Sequence, residues 1–530
     1  MGSSLLNRRQ WLQQTGGVIA AVSTQWGAGA RLEVRGFEPD GGPVGAGRLI
    51  TLLLTDPDGQ PYHLLPRVRL DGTASIELPN GEFEIAMILP IRDFGQVYLY
   101  ADNGGELYSP STAGELLLNY EFARSRAAFV RRYVKTGLAE GVVFTSGVTE
   151  RLERGEAALV KASEAHEPAT RAGHSNDSLT DTMWAGEMAA VERAQHHIAR
   201  NGPRPGFLFG CNAFGYAKSN DYARLFREQF NYCTLPFYRA LTEKVEGKPD
   251  YSTVDAILED MAGTGIVAKG HPLVWFHSVG IPEFMKTKPW GEIKQSCREY
   301  ILRSVGRFRW RIHVWDVINE AHDWANELGF DQQQLLDLTR LAADTTRVAD
   351  PTAFRVVNSY GLWGEYAATG RNDKGVMRQP IRTPFQYYKA LEDARVMYDA
   401  VGLQLYNPFR DMLEIERQVE RFFVFGKAVH ITELGVPSTS PSAQTAGKGG
   451  GATHAWAENV WHGTAWTPQT QADWVEQFYT ICYSKRQVQA ITWWDFADPA
   501  FLHGGGLVDE NFQPKESYNR LKRLLASWKA

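Results

Sequence analysis

The sequence predicts an α/β chain: a (β/α)8 barrel preceded by a small antiparallel β-sandwich and a helical connector. Three observations carry that prediction. From residue 207 onward, short apolar and β-branched runs alternate eight times with helical patterns, as repeated strand–helix units around a closed parallel sheet require. Ahead of Asn201–Gly202–Pro203–Arg204–Pro205–Gly206, a boundary signal, no such alternation is present. Finally, polar or aromatic residues stand at the carboxyl end of nearly every predicted barrel strand: Asn212, His271, Glu320, Asn358, Gln404, Glu433 and Trp494. That rim is where such barrels keep their chemistry.

At 530 residues the chain is too long for one ordinary core, so more than one domain is expected. A hydrophobic content of 43%, a charged content of 22% and a net charge of −5 are those of a globular chain, with nothing to draw it to nucleic acid or an anionic membrane. We expect residues 1–30 to be an export signal. Asn7–Arg8–Arg9–Gln10–Trp11–Leu12 is a twin-arginine pattern, a weakly apolar run follows, and Ala28–Gly29–Ala30 fits a cleavage site. The expected location is therefore periplasmic or extracellular.

The sandwich is expected over 31–114. Gly47–Thr55, Tyr62–Leu70, Glu82–Pro90 and Val97–Ala101 are strand-like and separated by turn chemistry such as Asp56–Pro57–Asp58–Gly59. The connector is expected over 115–200, with helices at Leu116–Val134 and Met183–Ile198 and a polar loop at Lys161–Asp181. Its histidines, His166, His174, His196 and His197, lack ligand spacing and are read as solvated. The barrel is expected over 201–530, with strands Phe207–Cys211, Phe230–Leu235, Gly265–Gly270, Ile312–Asn319, Phe354–Asn358, Val401–Leu405, Ala428–Glu433 and Val488–Trp494. Cys211, Cys233, Cys297 and Cys482 show no metal or redox spacing. Buried thiols are expected, although Cys211 and Cys233 sit where a disulfide between the first two strands could form.

Two strand ends carry the chemistry. Trp315–Asp316–Val317–Ile318–Asn319–Glu320–Ala321 and Ile431–Thr432–Glu433–Leu434 each bring a glutamate to the rim. Paired carboxylates on one rim are what glycoside cleavage needs, one as acid and one as nucleophile or base.

These stretches resemble glycoside hydrolase family 10, the endo-β-1,4-xylanase family. The resemblance covers about residues 205–528 and adds Gly270–His271–Pro272–Leu273–Val274–Trp275, Ile491–Thr492–Trp493–Trp494 and Gly506–Leu507–Val508–Asp509–Glu510–Asn511–Phe512–Gln513–Pro514–Lys515 to the two glutamate motifs. It implies a retaining hydrolase without cofactor or metal, acting on a polysaccharide, and we expect a monomer. Glu320 would be the acid/base with a raised pKa, and Glu433 the ionised nucleophile. Asn319 would bind the sugar 2-hydroxyl, and His271 the sugar beside the scissile bond. Trp275, Trp493 and Trp494 offer stacking faces, one of them serving the barrel core. His277, Gln404, Tyr406 and Asn358 complete the expected substrate-binding set.

Three departures from the family pattern bear on the substrate. After the second strand, Thr234–Leu235–Pro236–Phe237–Tyr238–Arg239 lacks the family's Glu-Asn and Lys. Tyr406 stands where a histidine would bond the nucleophile, and Gly435 replaces an Asp. Beyond Glu433, a long loop carries His454, Trp456, Trp461, His462 and Trp466 and reads as a lid or subsite wall. The rival readings are a barrel glycosidase for another or branched glycan, and a carbohydrate-binding protein that has lost activity.

Overall fold

The computed structural model describes residues 30–372, 375–376, 381–406, 409–440 and 460–528. Residues 1–29 of the export signal expected over 1–30 lie outside the described residues, as do His454 and Trp456.

Eight parallel strands close into a barrel in chain order: Leu208–Asn212, Tyr232–Pro236, Val267–His271, Val314–Asn319, Phe354–Ser359, Ala400–Leu405, Ala428–Leu434 and Val488–Trp493. Each expected strand is present to within two residues at its start. Successive side chains alternate between the two faces of a strand, and the core divides accordingly. Phe209, Cys211, Cys233, Leu235, Trp315, Val317, Val401, Ile431 and Trp493 join the cluster beneath the surrounding helices. Tyr232, Val314, Val356, Ala400 and Ala490 form a separate apolar plug. Nearer the carboxyl ends the inward positions turn polar, with Thr234, Lys269, Asp316, Asn358, Gln404, Thr432 and Thr492 all buried. All four cysteines are free and buried. Cys211 and Cys233 are register partners on neighbouring strands, and burial raises both thiols, Cys233 to about 12.

The amino-terminal β region departs from a purely antiparallel sandwich. Leu53–Thr55, Glu84–Ile91 and Gly95–Ala101 form one sheet; Arg67–Val68, Thr73–Glu77, Arg31–Arg35 and Glu115–Leu117 form another, in which the last two strands run parallel. Gly47–Leu49 is helical rather than extended, and only Arg67–Val68 of the Tyr62–Leu70 run pairs. Both sheets bury their inner faces in one cluster with Leu118, Phe122, Leu179 and Met183.

The connector is three helices, Leu118–Glu140, Ser146–Glu164 and Pro168–Asn201. The loop expected at Lys161–Asp181 is absent, because Glu167 caps the third helix by accepting from the Thr170 N–H at 2.6 Å and Pro168 takes its first turn. The polarity that suggested a loop is buried between helices: Ser175 and Ser178 are fully covered, and Asn176 accepts from Asn119 Nδ2 at 2.8 Å. His197 meets Glu140 at 3.1 Å, and no metal-binding group of His, Cys, Asp and Glu exists among the described residues. No described helix is long and apolar enough to cross a membrane.

The amino-terminal unit grips the barrel through buried polar contacts. Arg126 pairs with Asp411 at 2.8 Å, Tyr133 donates to Glu416 at 2.6 Å, and Glu187 accepts from the Met412 N–H at 2.7 Å. The Tyr98 N–H donates to the Phe409 carbonyl at 3.0 Å, and His63 Nδ1 meets the Ala368 carbonyl at 2.9 Å. These contacts fall on segments that follow the fifth and sixth barrel strands.

Candidate active site

Glu320 ends the fourth strand through two local departures from regular structure. A register shift against the fifth strand between Asp316 and Ile318 re-aims the strand end. Glu320 itself adopts φ of 55°, a left-handed conformation that is costly for a side-chain-bearing residue and concentrates at working sites. Its N–H is held by the Asn358 carbonyl at 2.8 Å. The carboxylate accepts from Trp275 Nε1 at 3.0 Å and from Gln404 Nε2 at 3.0 Å.

Glu433 lies three strands away on the same rim, in register with Gln404. One oxygen accepts from Asn358 Nδ2 at 3.0 Å, the other from the Tyr406 hydroxyl at 3.1 Å. Burial and the neighbouring Glu433 charge keep the Tyr406 phenol protonated, so it serves as the donor. Asn319 Oδ1 accepts from both Asn358 at 2.8 Å and Gln404 at 3.2 Å. A continuous path of hydrogen bonds therefore joins Glu320, Gln404, Asn319, Asn358 and Glu433.

The proton balance at Glu433 differs from the ionised state expected of it. Burial first, then the Glu320 charge, push Glu433 up to about 8. A carboxylate on Glu320 disfavours a second negative charge beside it, and this coupling adds to the effect of burial. The donors from Asn358 and Tyr406 oppose the burial effect and favour charge on Glu433.

The remaining expected residues differ in what they reach. Trp494 crosses His271 edge-on at 5.4 Å, and the Trp275 and His277 rings stack on one another at 4.7 Å. Asn319 keeps an amide group with no protein partner among the described residues, free to meet a hydroxyl. Asn358, expected to touch substrate, is fully buried; it donates to Asn319 and Glu433 and accepts from Thr432 at 2.5 Å. It acts on Glu433. Trp493 is core, its indole donating to the Gly505 carbonyl at 2.9 Å.

The described loop residues Trp461, His462 and Trp466 do not form a subsite wall. Trp461 and Trp466 are buried, and His462 stacks on Trp461 at 3.6 Å, packs on Phe94 and Trp184, and meets Glu187 at 2.8 Å. They turn toward the amino-terminal unit, whose apolar faces the sequence alone could not place beside them.

Several site residues escaped the sequence reading. Tyr238, just past the second strand, packs its ring 5.7 Å from His271 and 5.2 Å from Trp275. Asp495, directly after Trp494, accepts from Asn212 and from the Phe501 N–H. Burial raises its carboxyl above the usual range. Phe501 in turn meets Tyr406 at 5.8 Å. Beneath the rim, Asp316 bonds His271 Nδ1 at 2.7 Å and pairs with Lys269 at 2.9 Å. Period-two reading of the third and fourth strands would have placed Lys269 with His271 and Asp316 on the inner face; Tyr238 and Asp495 lie on loops and leave no such signal.

The model of the glycosyl hydrolase family 10 domain matches residues 204–524. Endo-1,4-β-xylanase B of Thermotoga neapolitana is 22% identical over 343 residues, covering 60% of this chain and 88% of that protein. Endo-1,4-β-xylanase A of the same organism is 28% identical over 201 residues, 35% of this chain and 17% of that protein. Among solved structures, xylanase 10B from Thermotoga petrophila in complex with xylobiose aligns at 21% identity and a TM-score of 0.46, covering 63% of this chain and 97% of that one.

Proposed function

The chain belongs to glycosyl hydrolase family 10, and we propose that it hydrolyses a β-1,4-linked plant polysaccharide, xylan first among them, by double displacement. The observation that carries this reading is the hydrogen-bonded path joining Glu320 to Glu433 on one rim. A pair that shares one proton holds both reagents of the first step. Glu320 delivers the proton to the glycosidic oxygen while Glu433 attacks the anomeric carbon, giving a covalent glycosyl-enzyme. Glu320, now a carboxylate, takes a proton from the incoming water, which breaks the sugar–Glu433 bond. As Glu433 becomes charged again, Tyr406 and Asn358 are already aimed at its two oxygens.

Trp275, His277 and Trp494 supply ring faces for sugars, and the Asn319 amide meets the hydroxyl beside the reacting carbon. Export through the twin-arginine signal is part of this proposal and agrees with an extracellular polymer as substrate.

A second reading, a glycan other than xylan, is favoured by the lining next to His271. Tyr238 and Asp495 stand there, and Pro236 and Phe237 occupy the strand end where the resemblance calls for Glu-Asn. Hydroxyl-binding groups decide substrate choice by orders of magnitude. The test is product release from xylans, mixed-linkage glucan, arabinan and mannan, with Glu433→Ala as control. Xylan cleavage lost in the variant supports the first reading; variant-sensitive cleavage of another glycan supports the second. Silence on every polymer would leave a carbohydrate-binding protein.

A further inference from the structure

We propose that Lys269 is a positioning residue of the reaction: a cation set into the barrel interior that acts through Asp316 and His271 on the charge of Glu433. The proposal rests on the reading of Glu433 as nucleophile and adds to it a source for the field that governs that group.

Lys269 is two residues before His271 on the third strand, hence on the same inward face, and is 0% exposed. Its ammonium lies 2.9 Å from Asp316 Oδ2, its one ion-pair partner among the described residues. The same oxygen takes His271 Nδ1 at 2.7 Å, and the far side of that imidazole, Nε2, faces Glu433 Oε1 at 3.7 Å. Four groups thus stand in line from the barrel interior to the rim. Below them is the apolar plug of Val314, Val356, Ala400 and Ala490.

Stability gives little reason to keep two charges there. Desolvating a buried pair costs about as much as its attraction returns, and apolar replacements of similar volume are often neutral or better. The chemistry gives a reason. Burial alone would raise the Asp316 carboxyl, but the Lys269 charge and the bonds from His271 and Lys269 hold it below the usual range. An ionised Asp316 requires His271 Nδ1 to carry its hydrogen, while burial keeps the ring from charging. That fixes the tautomer, and Nε2 presents a lone pair at the rim. Lys269 also cancels the Asp316 charge, so that Glu433 does not face two anions. Tyr406 and Gly435 occupy the places where the resemblance calls for a histidine and an aspartate beside the nucleophile, and support from below takes on added weight.

The groups facing Glu433 are Glu320 and Asp316 from the fourth strand, Lys269 and His271 from the third, Tyr406 after the sixth, Tyr238 after the second and Asp495 after the eighth. Asp316 additionally faces Tyr232 and His430, the latter neutral because burial pushes it down to about 3. Lys269 is the cation in this set.

The test is the bell-shaped pH dependence of kcat/KM, whose limbs report the two titrations of the Glu320/Glu433 pair in the free enzyme. The substrate is 4-nitrophenyl β-xylobioside or, where the panel identifies another glycan, that glycan. Lys269→Met leaves Asp316 uncompensated, so both limbs move to higher pH by about one unit, as a lost opposite charge at this range dictates. Asp316→Asn leaves the ammonium uncompensated, and both limbs move the other way. The double variant returns the bell toward wild type, and Lys269→Arg retains it. A folded Lys269→Met with an unmoved bell overturns the proposal, and so do shifts of the same sign in the two single variants. If Lys269→Met fails to fold, Asp316→Asn decides alone: a bell unmoved or moved upward overturns it. Residual activity in Glu433→Ala would instead remove the nucleophile reading, while an inactive Glu433→Ala beside an unmoved bell removes the Lys269 proposal only.

Discussion

Two sets of buried charges in this molecule are built on different plans. Between the amino-terminal unit and the barrel, Arg126 faces Asp411, Glu187 takes His462 and the Met412 N–H, and Glu416 takes the Tyr133 hydroxyl while pairing with Lys485 of the barrel itself. Each charge there meets partners within the protein, and the arrangement holds helices and loops in place. Inside the barrel, Lys269, Asp316 and His271 form a line that stops short of closing, and Glu433 and Glu320 end on a rim lined with rings. The difference teaches what buried charge is for in each place. A closed pair holds elements together and does no further work. An open line leaves a carboxylate whose proton is loosely decided, as a reaction with an acid and a base requires.

The comparison is broken most directly at the interface. Arg126→Ala leaves Asp411 buried without its cation, which should cost about 3–5 kcal/mol of stability. Chemical denaturation should register that loss while kcat, measured well below the new melting temperature, stays within about twofold of wild type. A large fall in kcat with an unchanged melt would mean that the interface reaches into the site.

At the rim the expectation reverses. Tyr406→Phe removes one donor to Glu433; hydrogen bonds to charged groups contribute about 1.5–3 kcal/mol. Steady-state kinetics should therefore show a fall in kcat of roughly ten- to a hundredfold, with little change in the melt. An unchanged kcat would separate Tyr406 from the work of Glu433.

A pH-dependent effect sharpens the contrast, because the same residue should affect stability and activity in opposite senses. Glu433 titrates at about 8 in the fold, above its value in the unfolded chain, so its contribution to stability is complete below the unfolded value and is lost as pH rises toward 8. Glu433→Gln carries no such loss. Its stability relative to wild type should rise between about pH 4.5 and 8, by at most about 1.4 kcal/mol per pH unit, while activity disappears. A difference independent of pH would mean that Glu433 is not held above its ordinary range.

Much of this was legible in the chain. Eight apolar runs with helices between them, and glutamates ending two of them, are local patterns, and local patterns survive in one dimension. The tautomer of His271 and the path from Glu320 to Glu433 were not legible, since each depends on residues more than forty positions apart meeting at hydrogen-bond distance. The polar stretch at Lys161–Asp181 misled because hydrophilic residues signal exposure only on average. Ser175 and Ser178 are small enough to be buried between packed helices. Trp461 and His462 misled for a related reason: an aromatic ring fits a sugar or a core equally well, and Phe94 and Trp184 decided for the core.

The sequence by itself determined the barrel, the rim and the two glutamates, because alternation of apolar and polar residues encodes which face of each strand is buried. Only the tertiary structure decided which carboxyl is pushed upward, which indoles face the site and which charge stands behind Glu433. Those depend on burial and on distances between strands, and electrostatic energy follows separation in space rather than separation along the chain.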